Sequence, residues 1–205
     1  MIDLLQNDYA VTNLAMYGDE LEEMVLRAEY LPYLANGKVK YLLLSGGGND
    51  VIGDSTLARC LNLFDPDHTN PNQAAYYINE EFDAALDRIE RLYRRLSAQV
   101  RKMSPNCKIV VHGYDYAIPR PDGPYLGVPM QSRGLYPNGY EKLCNAIIAL
   151  MIDRFNERLK RLPQQNVIYV NLRGTAKTER GWFDELHPTA ATARKLAARI
   201  KKVLN

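Results

Sequence analysis

The chain has 205 residues, 46% of them hydrophobic and 24% charged, the balance of a globular protein large enough for a core of its own. Lys and Arg number 26 against 24 Asp and Glu, a net charge of +2, which excludes the basic stripe of a generic nucleic-acid binder. No apolar run is long enough to cross a bilayer, and Met1 to Asp8 has neither the basic start nor the long apolar core of a signal peptide; a cytoplasmic protein, a single domain over residues 1–205, is therefore expected.

Residues 1–8 read as the end of a helix, with Ile2, Leu4 and Leu5 as its apolar positions. Tyr9 to Ala15 reads as a short strand, β-branched at Val11 and Thr12. Gly18 closes the turn that follows, and Asp19 is placed to cap a helix from Glu20 to Leu34. Val39 to Leu44 is the next strand, so residues 9–44 form a β-α-β unit in this reading. The strand runs into Ser45-Gly46-Gly47-Gly48-Asn49-Asp50, where the glycines permit a sharp turn. Ligands of open α/β sheets bind just outside the carboxyl ends of strands, which puts Asn49 where chemistry is expected. An ordinary glycine-rich turn would look the same.

Residues 53–74 are a loop-rich excursion. Tyr76 to Met103 carries a long amphipathic helix with Phe82, Leu86, Ile89, Tyr93 and Leu96 at helical spacing, a core stripe. Lys108 to Tyr114 is a third strand. Residues 115–138 are rich in Gly and Pro, and a loop of that length inside a domain is usually a lid or a binding loop. A helix over Tyr140 to Leu162, a fourth strand over Asn166 to Leu172, a loop over Gly174 to Phe183 and a closing helix over Thr189 to Leu204 complete the chain. The alternation predicts a three-layer, doubly wound α/β fold with parallel strands.

The three cysteines, Cys60, Cys107 and Cys144, have neither disulfide nor zinc spacing and read as packing residues. The basic clusters Arg91 to Arg95 and Arg199 to Lys202 lie on solvated helix faces. His112 reads as a packed strand residue or one near the site, and His68 as a loop residue without metal-like partners. No metal or cofactor motif is present: G-x-G-x-x-G and a phosphate loop are both missing, which leaves a nucleotide binder without support.

Asp184 and His187 stand three apart before the last helix, with Pro188 at its first turn. That spacing lets a carboxylate hold one imidazole nitrogen while the other faces a substrate, the orienting arrangement of a hydrolytic triad. On its own such a pair more often means a helix cap beside a surface histidine. Asn49 offers an amide donor, and Gly18 an unhindered backbone N–H, for a developing oxyanion. Tyr114, Asp115 and Tyr116 after the third strand, and Trp182 beside the dyad, are candidates for a substrate cleft or equally for ordinary turn residues.

Asn13-Leu14-Ala15-Met16-Tyr17-Gly18, then Gly47-Gly48-Asn49-Asp50, then Asp184-Glu185-Leu186-His187-Pro188, in this order on an α/β chain, resembles the SGNH (GDSL-type) hydrolase family. Gly18 matches the family's second block, Gly47 to Asp50 the third, and Asp184 with His187 the fifth. The resemblance implies a flavodoxin-like parallel sheet, a small-molecule ester as substrate, no metal, Asn49 as an oxyanion residue and Asp184–His187 as two-thirds of a triad. The departure lies at the first block. That block, G-D-S, places the nucleophilic serine at the end of the first strand, well upstream of Gly18, yet only 17 residues precede Gly18 and none is a serine. Either the chain is part of a longer hydrolase, or it is a relative that keeps the cleft as a non-catalytic binding module. With the first strand absent, exposed strand edges and self-association are expected. Gly53-Asp54-Ser55 spells the block out of order, after the third block and with no buried strand leading in, so Ser55 is at best a poor stand-in nucleophile. Ser45, at a strand end, reads as structural.

Overall fold

A computed structural model describes residues 4–52, 56–163 and 165–204. Its centre is a parallel sheet of three strands, β1 (Tyr41–Leu44), β2 (Lys108–His112) and β3 (Val167–Val170), in the order β1-β2-β3. The register sets Leu44 opposite Val111 and His112 opposite Val170, so the carboxyl ends of all three strands lie along one rim. Alternate residues of β2 face opposite ways. Ile109 and Val111 join the larger core, under helices α1 (Leu21–Arg27), α5 (Glu80–Met103) and α7 (Glu141–Lys160). Val110 joins Val170, Leu172, Leu196, Ile200 and Leu5 under the closing helix α8 (Ala190–Lys201). Helices on both faces of a parallel sheet make the expected three-layer α/β architecture.

The long helices follow their sequence signals. Asn79 caps α5, its side chain accepting the Glu81 N–H, with Glu80, Glu81 and Asp83 in the first turn and Arg101 and Lys102 in the last, as the helix dipole favours. Its buried face is Phe82, Leu86, Ile89, Tyr93, Leu96 and Val100. The helix begins later than its periodicity suggests, because Pro71–Tyr77 forms a separate 3₁₀ segment started by Asn70. Thr189 caps α8 through the Thr192 N–H. The remaining helices, α2 (Leu31–Leu34), α3 (Asn49–Ile52), α4 (Thr56–Arg59) and α6 (Gly127–Gln131), are one turn or little more.

Two expected elements are not formed. Residues 9–15 are not a strand. Asn13 Oδ1 accepts the Ala15 N–H at 3.0 Å, a local turn that competes with a ladder, while Tyr9 and Val11 pack on the α8-side core. The β-α-β unit over 9–44 is therefore absent, and the described sheet has three strands where four are expected. The single helix over Glu20–Leu34 is two. It breaks at Ala28, which is left-handed (φ 50°), four residues before Pro32. A continuous helix would drive the Pro32 ring into the Ala28 carbonyl and leave that carbonyl without its N–H partner. The helix cap is Glu20, in a capping box with Glu23, and Asp19 pairs with Arg27 instead. Leu4 is in a 3₁₀ turn and residues 5–8 are turns, while residues 1–3 of the expected helix end lie outside the described residues.

Candidate active site

The dyad sits in the turn between β3 and α8. Asp184 Oδ2 lies 2.7 Å from His187 Nδ1, and Asp184 Oδ1 accepts the backbone N–H groups of Leu186 (2.8 Å) and His187 (2.7 Å). One carboxylate thus builds the turn and orients the ring. Desolvation raises the Asp184 pKa, but the two backbone N–H groups and the imidazole outweigh it and hold the carboxyl below its usual value. A carboxylate at Nδ1 places the proton there and leaves the Nε2 lone pair free on a side chain that is 52% exposed. The turn is clamped from outside by a Trp182–Pro188 bridge and by the Phe183 N–H to His187 carbonyl bond (2.8 Å). Trp182 is buried beneath it, while Phe183 is 77% exposed beside it.

The glycine-rich turn after β1 is fixed by two tyrosine hydroxyls. Tyr93 donates to the Gly46 carbonyl at 2.9 Å, and the Gly48 N–H donates to the Tyr114 hydroxyl at 3.1 Å. A Cβ at Gly48 would collide with that hydroxyl, so only glycine fits. The Tyr114 hydroxyl also meets Ser45, and desolvation pushes its pKa up. Tyr114 therefore buttresses the turn from within, and Ser45 has the structural role its position suggested.

Two bonds then tie this turn to the segment carrying Gly18. Asn49 Nδ2 donates one proton to the Asp19 carbonyl at 2.9 Å, its second proton having no partner among the described residues, and Asp50 Oδ2 accepts the Leu21 N–H at 2.9 Å. Asp50 is 2% exposed, and its Oδ1 has no partner among the described residues. Gly18 itself is exposed with φ 84°. Its neighbour Tyr17 lies close enough to Tyr125 to raise the Tyr125 pKa. The Tyr125 ring stands edge-on to His187, with centroids 5.7 Å apart. Through Tyr17 and Tyr125 the Gly18 segment reaches the dyad.

Asp115 and Tyr116 follow β2. Asp115, 4% exposed, accepts the N–H groups of Tyr116 (2.9 Å), Gly174 (2.5 Å) and Ala176 (2.5 Å), fastening the loop after β3. Tyr116 donates to Asp153 at 2.9 Å and lines a cavity of about 370 Å³ with Ala117, Ile118, Asn145, Gly174 and Ala176. Four residues that sequence reasoning passed over belong to this rim: Tyr17, Asp50, Tyr125 and Glu185.

Elsewhere, His112 is buried at the end of β2 and bonds the Gly113 carbonyl, and burial lowers its pKa. His68 stacks on Tyr76 and pairs with Asp65. All three cysteines are buried free thiols, and burial pushes Cys60 and Cys144 up to about 11. Ser55 lies outside the described residues. Among the described residues no cluster of His, Cys, Asp and Glu could hold a metal, and no helix is long and apolar enough to cross a membrane.

Solved lipases share this architecture. The extracellular lipase from Streptomyces rimosus superposes with a TM-score of 0.57 at 16% identity, over 90% of this chain and 76% of that one. Phospholipase A1 from Streptomyces albidoflavus NA297 superposes with a TM-score of 0.55 at 19% identity, over 92% and 78%. No curated protein matches the sequence significantly. The family profile described as GDSL-like lipase/acylhydrolase matches residues 2–195, nearly the whole chain, and the chain belongs to that family.

Proposed function

We propose that the protein is an SGNH-type serine hydrolase acting on ester bonds. The observation that carries this reading is the Asp184–His187 pair: Nδ1 bonded at 2.7 Å, Nε2 unencumbered, and the same carboxylate fixed by two backbone N–H groups. His187 Nε2 takes the proton of the family's serine as its oxygen attacks the acyl carbon. The remaining Asn49 amide proton and the Gly18 N–H hold the resulting oxyanion. His187 then protonates the departing alcohol, and a water activated by the same imidazole releases the acid from the acyl-enzyme. Asp184 keeps the ring in the correct tautomer throughout. The substrate is a small-molecule ester, with Tyr116 and Trp182 on elements bordering the cleft.

No serine precedes Gly18; the first serine of the chain is Ser45. The test therefore compares the 205-residue chain with an extended chain, to which an upstream segment supplying G-D-S has been added. The extended chain should hydrolyse a short nitrophenyl ester, and His187→Ala should lower that rate at least about 10³-fold. Turnover indifferent to His187 would sink the reading. The missing serine favours a second reading, a binding module with no catalysis. The mass of the N-terminal peptide from the native source separates the two. Extension through G-D-S supports the hydrolase, and a start at Met1 supports the module.

A further inference from the structure

Glu185 stands between the two dyad residues and is 1% exposed. Its Oε1 accepts the N–H groups of Arg120 and Gly127, both at 2.8 Å, and its Oε2 those of Tyr125 and Leu126, both at 2.9 Å. Four backbone donors converge on one carboxylate from a single stretch, Arg120-Pro121-Asp122-Gly123-Pro124-Tyr125-Leu126-Gly127. That stretch is shaped for it. A Cβ on Gly123 would overlap the carboxylate, and one on Gly127 would overlap the Arg120 carbonyl. The Arg120 guanidinium closes the assembly on the Phe183 (3.2 Å) and Trp182 (3.5 Å) carbonyls. The product of this docking is the Tyr125 ring, edge-on to His187 at 5.7 Å.

We infer that Glu185 is a positioning residue of the active site: its carboxylate seats residues 120–127 so that Tyr125 walls and orients the His187 imidazole. The inference rests on the dyad's proposed role but is tested apart from it. Glu185 touches no reacting atom. It acts through Tyr125, and a shift of about 1 Å in a catalytic group can cost about 10² in rate. A glutamine in its place keeps the volume, yet turns two of the four N–H groups toward another donor.

The experiment uses NMR on the 205-residue chain and needs no turnover. In Glu185→Gln, the amides of Arg120, Tyr125, Leu126 and Gly127 should exchange at least tenfold faster while those of β2 stay protected. The ring-proton resonances of His187 should move as the Tyr125 ring current is lost. Gly123→Ala, which displaces the same carboxylate from the other side, should move the same resonances and serves if Glu185→Gln does not fold. Unmoved His187 resonances in a folded variant, or four amides that stay protected, would overturn the inference. So would unfolding of both variants, because Glu185 would then be a determinant of the fold and not of the site. In the extended chain, Glu185→Gln should lower kcat about 10- to 100-fold with KM within about twofold. If that chain shows no His187-dependent turnover, the hydrolase reading fails, and the NMR result still decides the role of Glu185.

Discussion

Asp184 does two jobs with two oxygens, and substitutions separate them. Asp184→Asn keeps the turn bonds of Oδ1 but removes the charge that sets the His187 tautomer. In the extended chain it should lower kcat by about 10⁴, the cost seen when a triad aspartate becomes an amide. Asn49→Ala removes one of the proposed oxyanion donors and should cost about 10²–10³ in kcat with little change in KM. Ser55→Ala should leave turnover unchanged; abolition would make Ser55 the nucleophile and overturn the assignment of the first block. Acid acts on the same turn. The Asp184 pKa is depressed by folding, so its contribution to stability is fully present above the ordinary carboxylate value of about 3.9 and is lost as pH falls through the lower folded value. NMR titration of the His187 N–H and Leu186 N–H should follow that loss.

The turn that carries Asn49 is held by hydroxyls, not by strand pairing. Tyr93→Phe leaves the buried Gly46 carbonyl without its donor, and Tyr114→Phe leaves the half-buried Gly48 N–H without its acceptor. Each should cost about 1–3 kcal/mol in urea denaturation, and Tyr114→Phe should also weaken ligand binding, because Gly48 precedes Asn49. Sequence alone identified the elements whose signals are local. The period of Phe82, Leu86, Ile89, Tyr93 and Leu96 fixes α5, and the apolar run Ile109-Val110-Val111 fixes β2. It misread residues 9–15, because Val11 and Thr12 favour a strand but nothing local states whether a partner strand lies alongside. It misread α1 because the apolar spacing of Leu21, Met24, Val25 and Ala28 outweighed the warning from Pro32. The dyad was legible since both members share one turn. The anchors were not: Glu185 meets its donors across 58 to 65 residues of chain, and a lone acid between two turn residues looks solvated. The prolines and glycines of residues 120–127 were the available sign that a backbone receptor was being built.

For the whole molecule, two features set behaviour in solution. His112 is buried in the centre of the sheet with its pKa lowered, so the unfolded chain binds the proton more readily than the folded one. Its contribution to stability is complete above about pH 6.5 and declines as pH falls from there toward the folded value. His112→Gln should flatten that part of a Tm-against-pH curve, and an unchanged slope would assign it to other groups. Among the described residues the sheet has β1 and β3 as its outer strands, and the edge of a sheet invites pairing with another chain. The 205-residue chain should therefore self-associate in sedimentation velocity; a clean monomer across a hundredfold concentration range would count against it.

Asn49 is followed by Asp50, and Asp184 by Glu185. In each pair the first side chain is one of the groups proposed to serve the reaction and the second is sunk into the rim, gripping backbone from a distant stretch. Chemistry and its mooring are thus written in adjacent codons. Recombination or insertion between the two couples leaves each intact, so loops away from Leu21 and residues 120–127 can lengthen or shorten while each couple keeps its mooring.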